Sequence, residues 1–272
     1  MPQLRLPQVQ GISGRDLYKT SVLRGELQET TSLAAMGPVP QWDQVDELRL
    51  WIAPHPCGAM PVLLTPSAHD FALLVRALAH RAEPVPLADG VHAQAISGLI
   101  HWGLIERYGR QSRAQLIVLH EAPYGSVAAE QVPGHWDHQA WLKASSNLRL
   151  EHELTHLATK RLLGEMRRNL LDELIADCMG MVAALGQFSA DLFGRCLGVG
   201  NPSGRWIAYT SELNATAAKE AMALTMARSA ELEAELTISP ELSGPELQIQ
   251  LLRWLCRQKL DQPISPFPAS LH

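Results

Sequence analysis

Short apolar runs separated by Pro and Gly occupy much of the first half of the chain, a pattern typical of strands and turns. The runs "DELRLWIAP" and "MPVLLTP" flank the turn-forming "HPCGA" and predict two strands, and "RAQLIVLHEA" predicts another. Behind Ser67, "SAHDFALLVRALAHRA" has apolar residues at helical spacing and predicts a capped helix. The segment "VHAQAISGLIHWGLIER" predicts a further helix, although it contains Gly98 and Gly103.

The second half of the chain, from about Trp136, has mainly the apolar spacing of helices. This spacing predicts helices over 138–147, 146–164, 170–187, roughly 212–236 and 246–260. Ser145 or Ser146 is the expected cap of the 146–164 helix, and Gly164 is its expected end. Asn169 is expected to cap the next helix after a hairpin turn.

This order of elements, strands first and helices second, favours an α+β fold. We expect a small mixed or antiparallel sheet in the N-terminal half, packed on a mainly helical C-terminal half. Residues 1–45 are rich in Pro, Gly, Gln, Ser and Thr and predict an arm that lies over the domain or is partly disordered. Residues 46–272 are expected to form a single domain, with a sheet-containing part at 46–135 and a helical part at 136–272.

Composition narrows the class of protein. The hydrophobic fraction of 46%, charged fraction of 19% and net charge of -5 are typical of a soluble globular protein without a basic surface for nucleic acid or anionic membranes. The four cysteines form no CxxC pair, which excludes a zinc ribbon and favours a reduced, cytoplasmic compartment. With no recognisable export signal and no apolar segment long enough to span a bilayer, no membrane insertion is expected.

The candidate chemistry begins at "LEHELTH", residues 150–156. On a helix, His152 and His156 project from one face one turn apart, so both imidazoles can reach one metal ion. Glu153 is rotated by about 100° from His152, which suits a general base that holds the metal-activated water. Chance alone produces such a motif in roughly 3 of 100 sequences of this composition, so a catalytic zinc site needs a third ligand as support.

The segment "NLLDELIADCMGM" offers that third ligand on the next predicted helix. Glu173 and Asp177 lie one turn apart on one face of it, and a hairpin would return this face to the two histidines. Glu173 is therefore the expected third ligand, and Asp177 is expected to accept a hydrogen bond from a ligand histidine's outer N–H. If His152 and His156 were merely surface histidines, the acidic pair would have no explanation.

Together, "HELTH" and "DELIAD" resemble the gluzincin metallopeptidases, which carry HExxH on one helix and a glutamate ligand in ExxxD on the next. The form "ELIADCMG" is similar to the ExxADxxG variant of the CaaX-type peptidases, and the resemblance covers about 145–182. It implies a zincin-like fold with Zn²⁺ bound by His152, His156 and Glu173. It also implies Glu153 as general base, Asp177 as the residue that orients a ligand histidine, and Ala176 and Gly180 as small contacts between the helices.

The resemblance extends less firmly to the substrate side. An oxyanion usually needs a further donor, for which Tyr209 is the first candidate and Tyr124 and His120 are rivals. Gluzincins commonly pair the peptide with an edge strand some 30 residues before HExxH, and "QLIVLHEAPYG" occupies that place. Backbone groups of about 117–122 would then bind an extended peptide. The residues concerned are Ile117, Val118, Leu119 and His120.

These features predict a zinc-dependent metallopeptidase that hydrolyses peptides or proteins in the cytoplasm with Glu153 as general base. Two alternatives stay open: a non-catalytic zinc-binding regulatory or interaction protein with a zincin fold, and a zinc-dependent hydrolase of a non-peptide amide. Cys57 is expected to be an ordinary turn cysteine rather than a thiolate that caps the zinc. The oligomeric state has no signal in the sequence.

Overall fold

The computed structural model describes residues 41–56, 58–80, 85–87, 90–97, 115–164, 169–238 and 244–268. The chain divides into two compact units, of which the first ends at Glu121 and the second runs from Ala122, with His55–Ala59 also joining the second. The first unit contains a four-stranded sheet, and the described part of the second is helical. The predicted α+β class is confirmed. The predicted single domain over 46–272 stays a prediction, and most of the predicted arm lies outside the described residues.

The sheet of the first unit is mixed. Its strands are β1 (Arg49–Ala53), β2 (Met60–Thr65), β3 (Ala93–Ser97) and β4 (Gln115–His120), in the order β1-β2-β4-β3. The β2 and β4 strands are parallel, with Val62 opposite Ile117, and both outer pairs are antiparallel. The central position of β4 explains its uninterrupted apolar run, since a strand inside a sheet with buried faces carries no polar alternation.

Among the described residues of the first unit, one helix covers this sheet. It is α1 (Ala68–Ala79), and Ser67 caps it by accepting a hydrogen bond from the Asp70 amide at 3.1 Å, as predicted. Apolar residues of α1 pack with residues of β3 and β4: Phe71, Leu74, Val75, Ile96, Leu116 and Val118. The helix predicted over "VHAQAISGLIHWGLIER" is wrong at residues 93–97, which form β3 because they pair along β4; Gly98 and Gly103 lie outside the described residues.

The described helices of the second unit are α2 (His138–Leu163), α3 (Leu170–Leu185), α4 (Ala190–Leu197), α5 (Trp206–Thr210), α6 (Ala215–Ile238) and α7 (Pro245–Leu255). The two helices predicted over 138–164 are one, α2, which ends at Gly164 as predicted. Its cap is Asp137, which accepts from the Ala140 amide at 2.7 Å. The predicted cap at Ser145 or Ser146 is wrong because both residues lie inside the helix.

Close contact between α2 and α3 sets the geometry of the second unit. A Cβ atom on Gly180 would lie 2.7 Å from the carbonyl oxygen of Leu148, so the α3 backbone touches α2 at this point. Ala176, one turn earlier on α3, is fully buried. The small residue at Gly180 lets the helices approach closely, as the resemblance implies, and the contact expected of Ala176 stays a prediction. Within the described ranges, no helix is long and apolar enough to cross a membrane.

Candidate metal centre

Two imidazoles of α2 face one another on the side that meets α3. The Nε2 atoms of His152 and His156 are 3.0 Å apart, and the two ring planes are nearly perpendicular, at 89°. His152 is buried, whereas His156 keeps slight exposure. The spacing of four residues along the helix therefore brings the two ring nitrogens to a common point.

The Glu173 carboxylate of α3 reaches the same point. Its Oε1 atom is 3.3 Å from Nε2 of His156, and its Oε2 atom is 3.7 Å from Nε2 of His152. Glu173 stands in the first turn of α3, and this turn is set by Asn169, whose side chain accepts from the Asp172 amide at 3.0 Å. The sequence-predicted ligand set is thus brought together by the packing of two helices.

Each histidine has an aspartate at its other ring nitrogen. Nδ1 of His152 is 2.7 Å from Oδ1 of Asp177, and Nδ1 of His156 is 3.0 Å from Oδ2 of Asp172. Since a carboxylate can only accept, both Nδ1 atoms carry a proton, and the Nε2 atoms are the ring nitrogens that face the common point. This arrangement fixes the tautomer that metal binding requires. Asp172 was not expected in this role.

The charges around the cluster move the pKa values of its members in opposite directions. Burial alone would lower the pKa of His156, but hydrogen bonds to Asp172 and Glu173 raise it to about 10. Burial would raise the pKa of Glu173, but the His156 hydrogen bond and the nearby charges of His152 and Arg205 hold that pKa well below its ordinary range. Glu173 is therefore a carboxylate, and its charge favours the protonated form of His156.

The distances suit zinc. Donor atoms about 2.0–2.1 Å from a tetrahedral zinc ion lie about 3.3–3.4 Å from one another. The two histidine Nε2 atoms are 3.0 Å apart and Oε1 of Glu173 is 3.3 Å from Nε2 of His156, close to that spacing, while Oε2 of Glu173 is 3.7 Å from Nε2 of His152. Two imidazoles and one carboxylate are also a donor set that catalytic zinc uses, with a fourth position left for water. The three side chains therefore fit a zinc ion without rearrangement of the helices.

Glu153 follows His152 on α2 and is partly exposed. Its negative charge is close enough to His156 to raise the pKa of that imidazole. Among the described residues, no hydrogen-bond or ion-pair partner occupies its carboxylate. An unengaged carboxylate beside the donor cluster is available to accept a proton.

Tyr124 and Arg205 also contact the cluster. The Tyr124 hydroxyl donates to Oδ1 of Asp177 and lies 3.0 Å from Nδ1 of His152. Arg205 donates to Oε2 of Glu173 at 2.7 Å and to the Tyr124 hydroxyl at 3.3 Å. The sequence offered no signal for Arg205, because it follows Glu173 by a whole further helix and lies outside any motif.

Tyr209, the first candidate for the oxyanion donor, is half-buried on α5, near enough to Glu173 and Arg205 for both to affect the pKa of its phenol. Burial and the neighbouring Glu173 charge raise its pKa, so the phenol keeps its proton. Tyr124 is unsuited to this role because its hydroxyl faces the outer nitrogen of His152. His120 belongs to the first unit, where its Nδ1 atom is 2.9 Å from Nδ1 of His92.

The predicted peptide-binding strand is wrong. Ile117, Val118, Leu119 and His120 belong to β4, which pairs with β2 on one side and with β3 on the other. The backbone groups that a peptide would need are already used in the sheet, so β-augmentation at this strand is excluded. Among the described strands, β1 and β3 lie at the edges of the sheet instead. Cys57 lies outside the described residues.

A second acidic cluster has a structural explanation. Asp43, His69 and Asp70 lie close enough together to suggest a metal site. The two carboxylate oxygens of Asp70 accept hydrogen bonds from the backbone amides of Asp43 and Gln44, each at 2.9 Å. Asp70 thus ties the segment before β1 to the start of α1, and its oxygens are engaged.

Comparison with known proteins gives a family without an assigned activity. A family model described as "Family of unknown function (DUF7005)" matches residues 1–115 and 112–265. The searches of curated proteins and of solved structures found no match. The chemistry of the site must therefore be argued from its own geometry.

Proposed function

This chain belongs to the Family of unknown function (DUF7005), and we propose that it is a zinc-dependent peptidase whose metal ligands are His152, His156 and Glu173. One observation carries the proposal. Three donor groups converge on one point, with both histidine Nε2 atoms facing it and an aspartate at each Nδ1. A zincin-like arrangement of α2 and α3 is part of the same proposal.

The resident ion would supply a Lewis acid for the scissile carbonyl and a water whose pKa is lowered to about 7. Glu153 would serve as the general base that accepts a proton from the attacking water. Glu153 then delivers the proton to the amide nitrogen as the C–N bond breaks. No covalent link to the protein forms, and the products are a carboxylic acid and an amine, which exchange a proton to become a carboxylate and an ammonium ion.

Tyr209 is our candidate for the donor that stabilises the developing oxyanion. Its raised pKa keeps the hydroxyl protonated, and a protonated phenol can donate a hydrogen bond to an oxyanion. The Glu173 charge contributes to the raised pKa of this phenol, which supports a place near the proposed ion. Asp172 and Asp177 hold the two imidazoles in the tautomer that leaves Nε2 free for the ion.

The presence of a candidate general base distinguishes a peptidase from a non-catalytic zinc-binding module. A structural zinc is closed by four protein ligands and needs no free carboxylate beside it. Three convergent ligands and the partner-free Glu153 carboxylate, within the described part of the chain, favour catalysis.

The experiment is Glu153→Gln, assayed for zinc content and for cleavage of a proteome-derived peptide library. A peptidase retains its zinc and loses cleavage in this variant. The matched control is Glu130→Gln, an exposed glutamate of the same unit, which should cleave like the wild type. The wild type could instead bind zinc, cleave no peptide and hydrolyse amides from a small-molecule panel. That result would show that the substrate is a non-peptide amide. Zinc binding without any hydrolysis would favour the binding module.

A further inference from the structure

We infer that Arg205 and Tyr124 are positioning residues that join two of the three proposed zinc ligands, His152 and Glu173, through one hydrogen-bonded brace. The inference rests on the proposed zinc site. The brace runs from Glu173 through Arg205, Tyr124 and Asp177 to His152. It links α3, the short turn Tyr124–Ser126 and Arg205, the residue before α5, to one side of α2.

Each step of the brace is a direct contact. Nη2 of Arg205 donates to Oε2 of Glu173 at 2.7 Å, and Nη1 of the same guanidinium donates to the Tyr124 hydroxyl at 3.3 Å. That hydroxyl donates in turn to Oδ1 of Asp177, which also accepts from Nδ1 of His152 at 2.7 Å. The planar guanidinium fixes the angle between its two donors, so it can hold both groups in one orientation.

Arg205 also decides which oxygen of Glu173 is available. Because Oε2 is held by the guanidinium at 2.7 Å, Oε1 is the oxygen that is left to face His156, at 3.3 Å. A carboxylate held in this way offers one oxygen to an ion rather than two. One-oxygen ligation keeps the coordination number low and leaves room for water and a substrate carbonyl.

Tyr124 is itself fixed at several points. Its backbone amide donates to Oγ of Ser145 at 2.9 Å, which ties it to α2. Its ring has two guanidinium carbons, those of Arg149 and Arg205, each 5.5 Å from the ring centroid. The next residue, Gly125, has φ 58°, and a Cβ there would lie 2.5 Å from the Cys196 backbone. A side chain anchored this firmly can position its neighbours without a further loss of conformational entropy.

The remaining ligand, His156, is held separately. Its Nδ1 atom is bonded to Asp172, which lies outside the brace. Loss of the brace should therefore loosen His152 and Glu173 while His156 keeps its orientation. This asymmetry makes the brace distinguishable from a general loss of packing.

The test is a double-mutant cycle with Tyr124→Phe and Arg205→Met on the full chain. Zinc affinity is measured by competition with a chromogenic chelator, and the visible absorption of the Co²⁺-substituted protein reports the coordination number. Each single variant should bind zinc about 10–100-fold more weakly. Because both changes break the same brace, the double variant should be little weaker than the weaker single one.

The cobalt spectrum adds a result that lost packing would not produce. In Arg205→Met, Oε2 of Glu173 is released and can join the ion, so the d–d absorption should weaken as the coordination number rises. Tyr124→Phe should leave that intensity nearer to the wild type because the Arg205–Glu173 contact remains. The control is Arg195→Met, whose partner Asp191 is exposed and remote from the ligand set, and which should match the wild type in both measurements.

Arg205→Lys keeps the positive charge and covers the case in which Arg205→Met does not fold. A lysine has one ammonium group and cannot bridge Glu173 and Tyr124 in the geometry of the guanidinium fork, so its zinc affinity should fall as it does in Tyr124→Phe. Wild-type affinity in the single variants, or a double variant whose loss is the product of the single losses, would overturn the brace while the zinc site stands. A wild type that binds no zinc would overturn both.

Discussion

Nδ1 of His152 lies 2.7 Å from Oδ1 of Asp177, a fully buried carboxylate 25 positions along the chain. The contact joins HExxH on α2 to the acidic motif on α3. It gives His152 a fixed tautomer and a charge-assisted hydrogen bond, both of which strengthen a metal ligand.

Asp177→Asn is expected to weaken zinc binding about 10–100-fold, since the amide keeps the shape of the carboxylate but loses its charge. Zinc affinity by chelator competition is the measurement. Asp191→Asn serves as the control because its carboxylate is exposed and pairs only with Arg195 in the described structure. An Asp177→Asn protein that binds zinc as tightly as the wild type would remove this contact from the account of the site.

At the start of α3, one contact caps the helix and a neighbouring contact orients a proposed zinc ligand. The Asn169 side chain accepts a hydrogen bond from the backbone amide of Asp172, whereas the Asp172 carboxylate is hydrogen-bonded to Nδ1 of His156. Asn169→Ala should lower the free energy of unfolding of the metal-stripped protein by about 1 kcal/mol, measured by urea denaturation, with zinc affinity nearly unchanged. Asp172→Asn should instead weaken zinc binding. Equal losses of zinc affinity in the two variants would contradict this division of roles.

Gly180 tests the contact between the two helices that carry the ligands. Gly180→Ala places a methyl group 2.7 Å from the Leu148 carbonyl oxygen, so the helices must separate, at a cost of about 1–3 kcal/mol in the free energy of unfolding. Gly194→Ala is the matched control, since its nearest neighbour is the flexible end of Met226 at 2.9 Å. Denaturant unfolding of both variants is the measurement, and equal stabilities would show that the Gly180 contact is not close.

Tyr209→Phe distinguishes a donor to the oxyanion from a residue that positions a ligand. We expect kcat for peptide cleavage to fall by about 10²-fold, with the zinc content of the wild type retained. Tyr124→Phe provides the contrast. The Tyr124 hydroxyl lies beside Nδ1 of His152, so its loss should lower zinc affinity. If Tyr209→Phe loses zinc in proportion to activity, Tyr209 supports Glu173 instead of the oxyanion.

The sequence could predict those parts of the site that depend on local periodicity. His152 and His156 share a helix face by their spacing, and Glu173 and Asp177 share another, so their meeting required only a hairpin. Arg205 and Tyr124 depend on how distant segments pack, and neither periodicity nor a motif carries that information. Asp172 lies one position before Glu173, and its contact with His156 depends on the rotation of α3 against α2, which helix periodicity alone does not specify.

The fold shows the same division between local and distant information. The strands 49–53, 60–65 and 115–120 follow from apolar runs and turns. The local sequence predicts a helix at residues 93–97. These residues form a strand instead, because their long-range pairing with β4 overrides a weak local preference. The expected edge strand at 117–122 is the interior strand β4 for a related reason: the order of strands in a sheet is set by the tertiary fold.

The most direct test of the zinc site is an anomalous difference map from crystals of the zinc-loaded protein, recorded on both sides of the zinc absorption edge. The account predicts one ion per chain, bound by Nε2 of His152, Nε2 of His156 and an oxygen of Glu173, and its loss in a crystal of His156→Ala. A map without a peak among these three side chains, or with the ion bound elsewhere, would contradict it.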